Sequence, residues 1–179
     1  MEKFKMKIFG FNESIKNIEK WAEERNLIDG STPIKQFVKL MEEFGELCSG
    51  VSKNKSDVII DSIGDCLVVT IILACQIRAN RWFIEKAVVD ADYSTENNEF
   101  ICIRLAGVLG NLSKLLMFRN GTFHRNEVYS NFYEIAYFLN KLALNKEMDL
   151  GKCLDAAWQE IKDRKGKMIN GVFVKESDL

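Results

Sequence analysis

The sequence predicts an all-α protein built as a helical bundle. Of its 179 residues only 1 is proline, whereas sheet proteins need many turns, which draw on proline and glycine. Several long segments instead carry apolar residues three or four positions apart, the spacing of one helix face. A chain of this length is large enough for one domain with a substantial core. We therefore treat residues 1–179 as a single domain.

The first two predicted helices cover about 12–25 and 33–50. Thr32 is the expected N-cap of the second helix, because Pro33 then occupies its first helical position. The apolar faces comprise Ile15, Ile18, Trp21 and Ala22 on the first helix, and Phe37, Leu40, Met41, Phe44 and Leu47 on the second.

The third predicted helix covers about 57–79 and follows a polar loop at 53–56. The loop is short, so we expect the second and third helices to pack antiparallel. Beyond Leu67 the third helix is apolar nearly all round, which predicts a central position in the bundle. The next segment, 81–98, is less regular, although Trp82, Ile84 and Val88 fit a short helix.

Three further helices are predicted at about 100–118, 127–144 and 150–165, with a polar connection at 119–122. Near the C-terminus, Asn170 and Gly171 lie between short apolar runs and predict the tight turn of a small hairpin. Segments 39–47 and 104–112 can also be aligned, with Gly45 on Gly110. The alignment predicts two pseudo-repeated helical hairpins; the alternative is that any two leucine-rich helices would align as well.

Composition excludes several classes of function. A net charge of -1 gives no overall field that attracts nucleic acid. Five cysteines without a CxxC pair indicate reduced thiols. The single histidine, His124, lies in a predicted loop and counts against triad and di-iron sites. The N-terminus lacks the apolar region of a signal peptide, and the longest apolar run, 66–75, is too short for a membrane span. We expect a cytoplasmic protein with neither nucleic-acid nor membrane partners.

Acidic residues cluster on the second and third predicted helices. Glu43 and Glu46 are three residues apart and Asp61 and Asp65 are four apart, so each pair shares a helix face, with Glu42 close by. Like charges at these spacings repel, and burial raises carboxylate pKa values. A divalent cation such as magnesium would offset this repulsion, because it takes oxygen ligands.

The alternative is that these acids form an ordinary solvated helix face. Asp65 argues against it, because Asp65 lies between Ile63 and the apolar run that begins at Cys66. Aspartate is rarely buried without a partner. We therefore expect the four acids to converge on one concave surface, close enough to share a cation and with raised pKa values when no metal is bound.

Two segments carry a family resemblance. Residues 36–47 read QFVKLMEEFGEL and residues 61–65 read DSIGD. Together they resemble the ExxE…ExxD arrangement of the MazG-like all-α nucleoside triphosphate pyrophosphohydrolases, a superfamily that includes dimeric dUTPases and dCTP pyrophosphatases. Residues 158–175 are similar to the end of phage-type members. The resemblance covers about 31–73 and 156–179.

The resemblance implies magnesium-dependent hydrolysis of an NTP or dNTP to the monophosphate and pyrophosphate, with manganese as a substitute metal. Glu43 and Glu46 match the ExxE acids and Asp65 matches the last acid. Ser62 stands where the family has glutamate, and Asp61, one residue earlier, is expected to replace it because both positions adjoin the same face. Glu43 is the preferred general base, with Glu42 as the alternative.

Several residues are candidates to hold the substrate: Gln36, Lys39, Arg164, Lys165 and Lys167. The basic ones would supply fixed positive donors for phosphate oxygens. Their alternative role is ordinary, since cations near a helix C-terminus favour its dipole and its solubility. Trp21 or Trp158 would stack on the base, unless they are core residues, as tryptophans at helical spacing usually are.

Three alternatives stay open at this point. The chain is a general NTP pyrophosphohydrolase, a narrower dUTPase or dCTPase, or a catalytically silent helical protein that binds nucleotide or regulates a partner. Relatives with one motif unit build their bundle from two chains; here a catalytic half at about 31–80 would pair with a degenerate second half at about 100–167. The apolar content still predicts a homodimer or higher homo-oligomer.

Overall fold

The computed structural model describes residues 2–80, 82–91, 96–117 and 125–179. These residues form seven α-helices and one two-stranded sheet, which confirms the all-α prediction. The helices are α1 (Glu2–Glu24), α2 (Pro33–Ser52), α3 (Ser56–Gln76), α4 (Trp82–Asp90), α5 (Asn98–Met117), α6 (Arg125–Leu144) and α7 (Leu150–Ile161). The strands are β1 (Gly166–Ile169) and β2 (Val172–Lys175), followed by a 3-10 turn at Glu176–Asp178.

All six predicted helices are present, and the irregular segment contributes the additional helix α4. Two boundaries differ by more than a turn. Helix α1 begins at Glu2 rather than at 12, and α7 ends at Ile161 rather than at 165. The chain leaves α7 early because the Arg164 amide bonds back to the Ile161 carbonyl and β1 starts at Gly166. The predicted connection at 119–122 and His124 lie outside the described residues.

Local sequence signals account for the start of α2 and for the turn between β1 and β2. The Thr32 hydroxyl accepts the Lys35 amide at 3.3 Å and Pro33 is the first residue of α2, as predicted. Between β1 and β2, Asn170 and Gly171 have φ values of 51° and 77°. Two successive positive φ values form the tight turn that joins two antiparallel strands, which confirms the predicted hairpin.

Helix α3 lies at the centre of the bundle, as predicted. It packs against α1, α2, α6 and α7, and residues 66–74 are all buried. Three residues, 53–55, connect α2 to α3, so the two helices run back along each other. Helices α5 and α6 form a second hairpin, with α2 packed on α5 and α3 on α6. This is the four-helix arrangement that two pseudo-repeated hairpins require.

Two helices, Ser56–Gln76 and Asn98–Met117, are long and apolar enough to cross a membrane by length and composition alone. The apolar window of α3 is 72% buried inside the protein, which is typical of a core helix. That of α5 is only 33% buried. Helix α5 therefore exposes an apolar face, and cytoplasmic location stays a prediction.

Gly64 lies where α3 crosses α7. A Cβ at this position would collide with the carbonyl oxygen of Cys153 and lie 2.9 Å from the Cβ of Ala157. Glycine thus allows the two backbones to approach closely, and the crossing holds the end of α7 beside Asp61 and Asp65 on α3.

We expect Gly64→Ala to lower the free energy of unfolding by about 1–3 kcal/mol, because the backbone of α7 must move away. Chemical denaturation measures this change. Gly10→Ala in α1 is the control, since no atom lies within 4 Å of a Cβ there. It should leave stability unchanged or raise it by up to about 1 kcal/mol through helix propensity. Equal stabilities of the two variants would contradict the close crossing.

Candidate active site

A cleft of about 570 Å³ opens between α1, α2, α3, the end of α7 and the C-terminal hairpin. Seven acidic residues line it, one of which, Asp178, lies in the C-terminal 3-10 turn. The other six lie on three α-helices and we call them the acidic wall: Glu42, Glu43 and Glu46 on α2, Asp61 and Asp65 on α3, and Glu160 on α7. The antiparallel packing of α2 on α3 brings the two predicted acid pairs to the same cleft. The close crossing at Gly64 adds Glu160.

The two aspartates of the acidic wall have raised pKa values. Burial raises the pKa of Asp65 to about 7, and repulsion from Glu43, Asp61 and Glu160 adds to this effect, which Arg164 opposes. The pKa of Asp61 is also raised, by burial and then by Glu160, Glu46 and Asp57. The predicted increase in carboxylate pKa values is therefore confirmed for both aspartates.

Glu43 is the most buried acid of the wall, with 7% of its surface exposed. Lys39, one turn earlier on α2, places its Nζ atom 2.7 Å from Glu43 Oε1 and 2.9 Å from Glu42 Oε1. Burial acts to lower the pKa of Lys39, but hydrogen bonds with Glu43 and Glu42 outweigh it and the pKa is raised. This ammonium group thus neutralises part of the acidic wall.

Ser62 and Asp61, adjacent on α3, lie in different environments. Ser62 is buried and does not line the cleft, whereas Asp61 does. Asp61 therefore faces the same cleft as the other three predicted acids, and its replacement of a motif glutamate stays a prediction.

The carboxylates do not form a ready-made metal cage, and the shared cation remains a prediction. Among the residues that the structure describes, no three His, Cys, Asp or Glu side chains lie close enough to hold a metal ion. Glu43 forms an ion pair with Lys39 instead. The donor set still fits magnesium in kind, because all its atoms are carboxylate oxygens and its charge is incompletely compensated at Asp65.

The predicted substrate residues divide into two groups. Gln36, Lys39 and Arg164 line the cleft. Lys165 and Lys167 are exposed and lie outside its lining, so their predicted placement was wrong. The reason is the early end of α7, after which Lys165 lies in the connection to the hairpin and Lys167 lies in β1. Lys35 and Lys175 line the cleft in their stead, and sequence reasoning missed both.

An aromatic pair lies beside the charged groups. Trp21 is a buried core residue and also lines the cleft, so both of its predicted roles remain open to it. The Phe173 ring packs edge-to-face on it at 5.9 Å, and the Arg25 guanidinium lies 4.7 Å from the Trp21 ring. Trp158 does not line the cleft. Sequence reasoning missed Phe173 and Glu160; the i,i+4 spacing of Glu160 and Arg164 was the one local signal for the latter.

Comparison with known proteins gives little functional information. No family model matches the chain, and no solved structure matches it. A segment of 62 residues is 77% identical to the "Uncharacterized 18.2 kDa protein in rep-hol intergenic region" of Haemophilus phage HP1 (strain HP1c1). The match covers 35% of this chain and 38% of that protein, for which no activity is stated.

The raised pKa of Asp65 predicts how stability depends on pH when no metal is bound. Because the folded-state pKa of about 7 lies above the ordinary value of 3.8, the charged form destabilises the fold. The penalty is absent below about pH 4 and complete above about pH 7. In EDTA at pH 8, we expect Asp65→Asn to raise the free energy of unfolding by about 1–2 kcal/mol after solvent screening.

Denaturation at pH 4 should reduce this gain to near zero. Asp155→Asn is the control, since Asp155 is an exposed carboxylate on α7 outside the cleft lining. It should show no such pH-dependent gain. A gain for Asp65→Asn that persists unchanged at pH 4 would be inconsistent with an ionisation penalty.

Proposed function

We propose that the protein is a magnesium-dependent nucleoside triphosphate pyrophosphohydrolase of the MazG-like kind, acting in the cytoplasm. The observation that carries the proposal is the convergence of the α2 and α3 carboxylates in one cleft with cationic and apolar side chains beside them. Its volume of about 570 Å³ lies within the range of small-molecule sites. The motif resemblance supports the same conclusion.

Glu43, Glu46, Asp61 and Asp65 are the residues that would hold magnesium, or manganese in its place. When bound, the metal supplies charge neutralisation for phosphate oxygens and makes a water more acidic. Glu43 is the preferred base because it lines the cleft among the residues that would hold the metal and its bound water. It would take the proton of the attacking water while the phosphorus–oxygen bond to the leaving pyrophosphate breaks. The more exposed Glu42 is the alternative base.

Basic side chains on opposite sides of the cleft would bind the triphosphate. Lys39 approaches from α2, and Arg164 lies just beyond α7. Lys35 and Lys175 line the cleft near the hairpin, where they take the place first expected for Lys165 and Lys167. Fixed cations at several points orient a triphosphate for in-line attack and stabilise the charge of the leaving group.

Most of the remaining lining is apolar and would contact the base and sugar. It comprises Trp21, Leu27, Val68, Val69, Ile72, Ile161, Val172 and Phe173. Rings such as Trp21 and Phe173 offer flat contact area to a nucleobase. Hydrolysis restricted to dUTP or dCTP is the narrower form of the proposal.

A catalytically silent nucleotide-binding protein is the second candidate. Two observations favour it: serine occupies position 62 in place of the motif glutamate, and the carboxylates of the described residues are not preset around a metal. Such a protein would bind the triphosphate through the same cations and release no pyrophosphate.

We also propose that the chain forms a homodimer, or a higher homo-oligomer, through α2 and α5. These packed helices expose six large apolar side chains by 42–75%: Ile34, Val38 and Met41 on α2, and Phe100, Ile103 and Met117 on α5. Two helices of 20 residues are about 30 Å long and about 9 Å apart. Together they present a footprint of roughly 600 Å², close to the ~800 Å² per partner of a standard interface. A second copy offers a matching apolar face of the same size.

A panel of ribo- and deoxynucleoside triphosphates tests the activity. We expect magnesium-dependent pyrophosphate release from at least one of them, and a loss of about 10²–10⁴-fold in kcat for Asp65→Asn and for Asp61→Asn. Ser62→Ala should change kcat little, because Ser62 does not line the cleft. Circular dichroism checks that each variant is folded. Wild-type turnover in Asp65→Asn would remove the catalytic assignment, and nucleotide binding without pyrophosphate release would favour the silent protein.

Light scattering tests the assembly at micromolar concentration. We expect a dimer or larger oligomer for the wild type and a monomer for the double variant Val38→Glu, Ile103→Glu, since charges would be buried at the interface. Val89→Glu is the control, because Val89 is a similarly exposed valine on α4. A monomeric wild type would refute the proposed interface.

A further inference from the structure

The acidic wall contains a cation supplied by the chain itself. Lys39 Nζ contacts Glu43 at 2.7 Å and Glu42 at 2.9 Å, both on the next turn of the same helix. Glu43 is nearly buried, whereas the Lys39 side chain is 46% exposed. The ammonium group thus reaches from the open cleft onto the most buried carboxylate of the wall.

The other members of the wall are neutralised less completely. Arg164 forms an ion pair with Glu160 and also lowers the pKa of Asp65, yet that pKa remains at about 7. The two cations are therefore held at the two edges of the wall: Lys39 contacts Glu43, and Arg164 contacts Glu160. The two aspartates of α3 lie between these edges.

We propose that Lys39 is an exchangeable counter-ion of the acidic wall, bonded to Glu43 and Glu42 without metal and released to bind a phosphate oxygen once a divalent cation occupies Glu43. The inference rests on the proposed function. It accounts for the partner of Glu43 among the described residues, where no three acidic side chains are grouped closely enough to hold a metal ion.

The exchange costs little on the lysine side. The Lys39 side chain is 46% exposed, so its ammonium can be solvated on release, and its four-carbon stem can move that ammonium through several ångströms. The charge of the nearly buried Glu43 would be compensated by the incoming divalent cation. Nor is the positive charge lost from the cleft, because a triphosphate brings new oxygens for it to contact.

The exchange gives Lys39 opposite effects on the two ligands. Without nucleotide it competes with the metal for Glu43, so its removal should strengthen metal binding. With metal present it binds the triphosphate, so its removal should weaken nucleotide binding. A lysine with a purely structural role would not shift the two affinities in opposite directions.

Metal affinity is measured by titrating the metal-free protein with Mn²⁺ and recording the electron paramagnetic resonance signal of free Mn²⁺. We expect Lys39→Met to bind Mn²⁺ about 10-fold more tightly than the wild type. Lys39→Arg, which keeps the charge, should restore affinity close to that of the wild type. This readout is independent of turnover.

Lys35→Met is the matched control. Lys35 lies one turn earlier on α2 and lines the same cleft, but its ammonium donates to the Asn170 carbonyl oxygen and not to a carboxylate. Removing the same charge there should change Mn²⁺ affinity by less than about threefold, because the remaining interaction is screened.

Nucleotide affinity is then measured by calorimetry at saturating Mn²⁺, with the non-hydrolysable α,β-imido analogue of the triphosphate that releases pyrophosphate. We expect Lys39→Met to weaken binding about 10-fold. If Lys39→Met binds Mn²⁺ no more tightly than the wild type, the counter-ion inference is wrong while the proposed function stands. If the wild type binds no Mn²⁺ and hydrolyses no triphosphate, the proposed function itself fails.

Discussion

The close crossing of α3 and α7 at Gly64 determines how the aspartates of α3 meet the charged groups at the end of α7. Helix α3 is the central helix, so the bundle can expose its two aspartates only where a neighbour ends or bends away. At the crossing, α7 packs against the residue between Asp61 and Asp65 and then ends at Ile161. The cleft opens at that end, and Glu160 and Arg164 face the aspartates there.

The position of Asp65 opposes stability and favours ligand binding for the same reason. Burial and three neighbouring carboxylates make its charged form unfavourable in the metal-free protein. A ligand that supplies positive charge removes this penalty when it binds. The unfavourable free energy of the charged carboxylate in the metal-free protein is then relieved and contributes to the binding free energy. An asparagine at position 65 would make the metal-free protein more stable but would bind a cation more weakly. The same trade-off is common at functional sites.

Local signals in the sequence predicted much of the fold, and tertiary contacts decided the rest. The Thr32 cap, the Asn170–Gly171 turn and the two acid pairs each depend on residues within about one turn of one another, so spacing alone located them. The end of α7 depends on where the hairpin packs, and spacing did not show it. Lys165 and Lys167 were misplaced for this reason, and Lys175 and Phe173 were missed because their strand reaches the cleft from more than a hundred residues beyond α2.

The C-terminal hairpin is held against the cleft by ring packing and by a hydrogen bond to the backbone just before the hairpin. Arg25 Nε donates to the Arg164 carbonyl at 3.0 Å, while its guanidinium stacks on Trp21, against which Phe173 packs. One arginine, directly after the end of α1, therefore contacts both the chain that carries the Arg164 cation and the ring that lines the apolar part of the cleft. Charged and apolar contacts to a ligand are thus mechanically connected. A ligand that displaces Phe173 would also shift the segment that holds Arg164 beside Glu160 and Asp65.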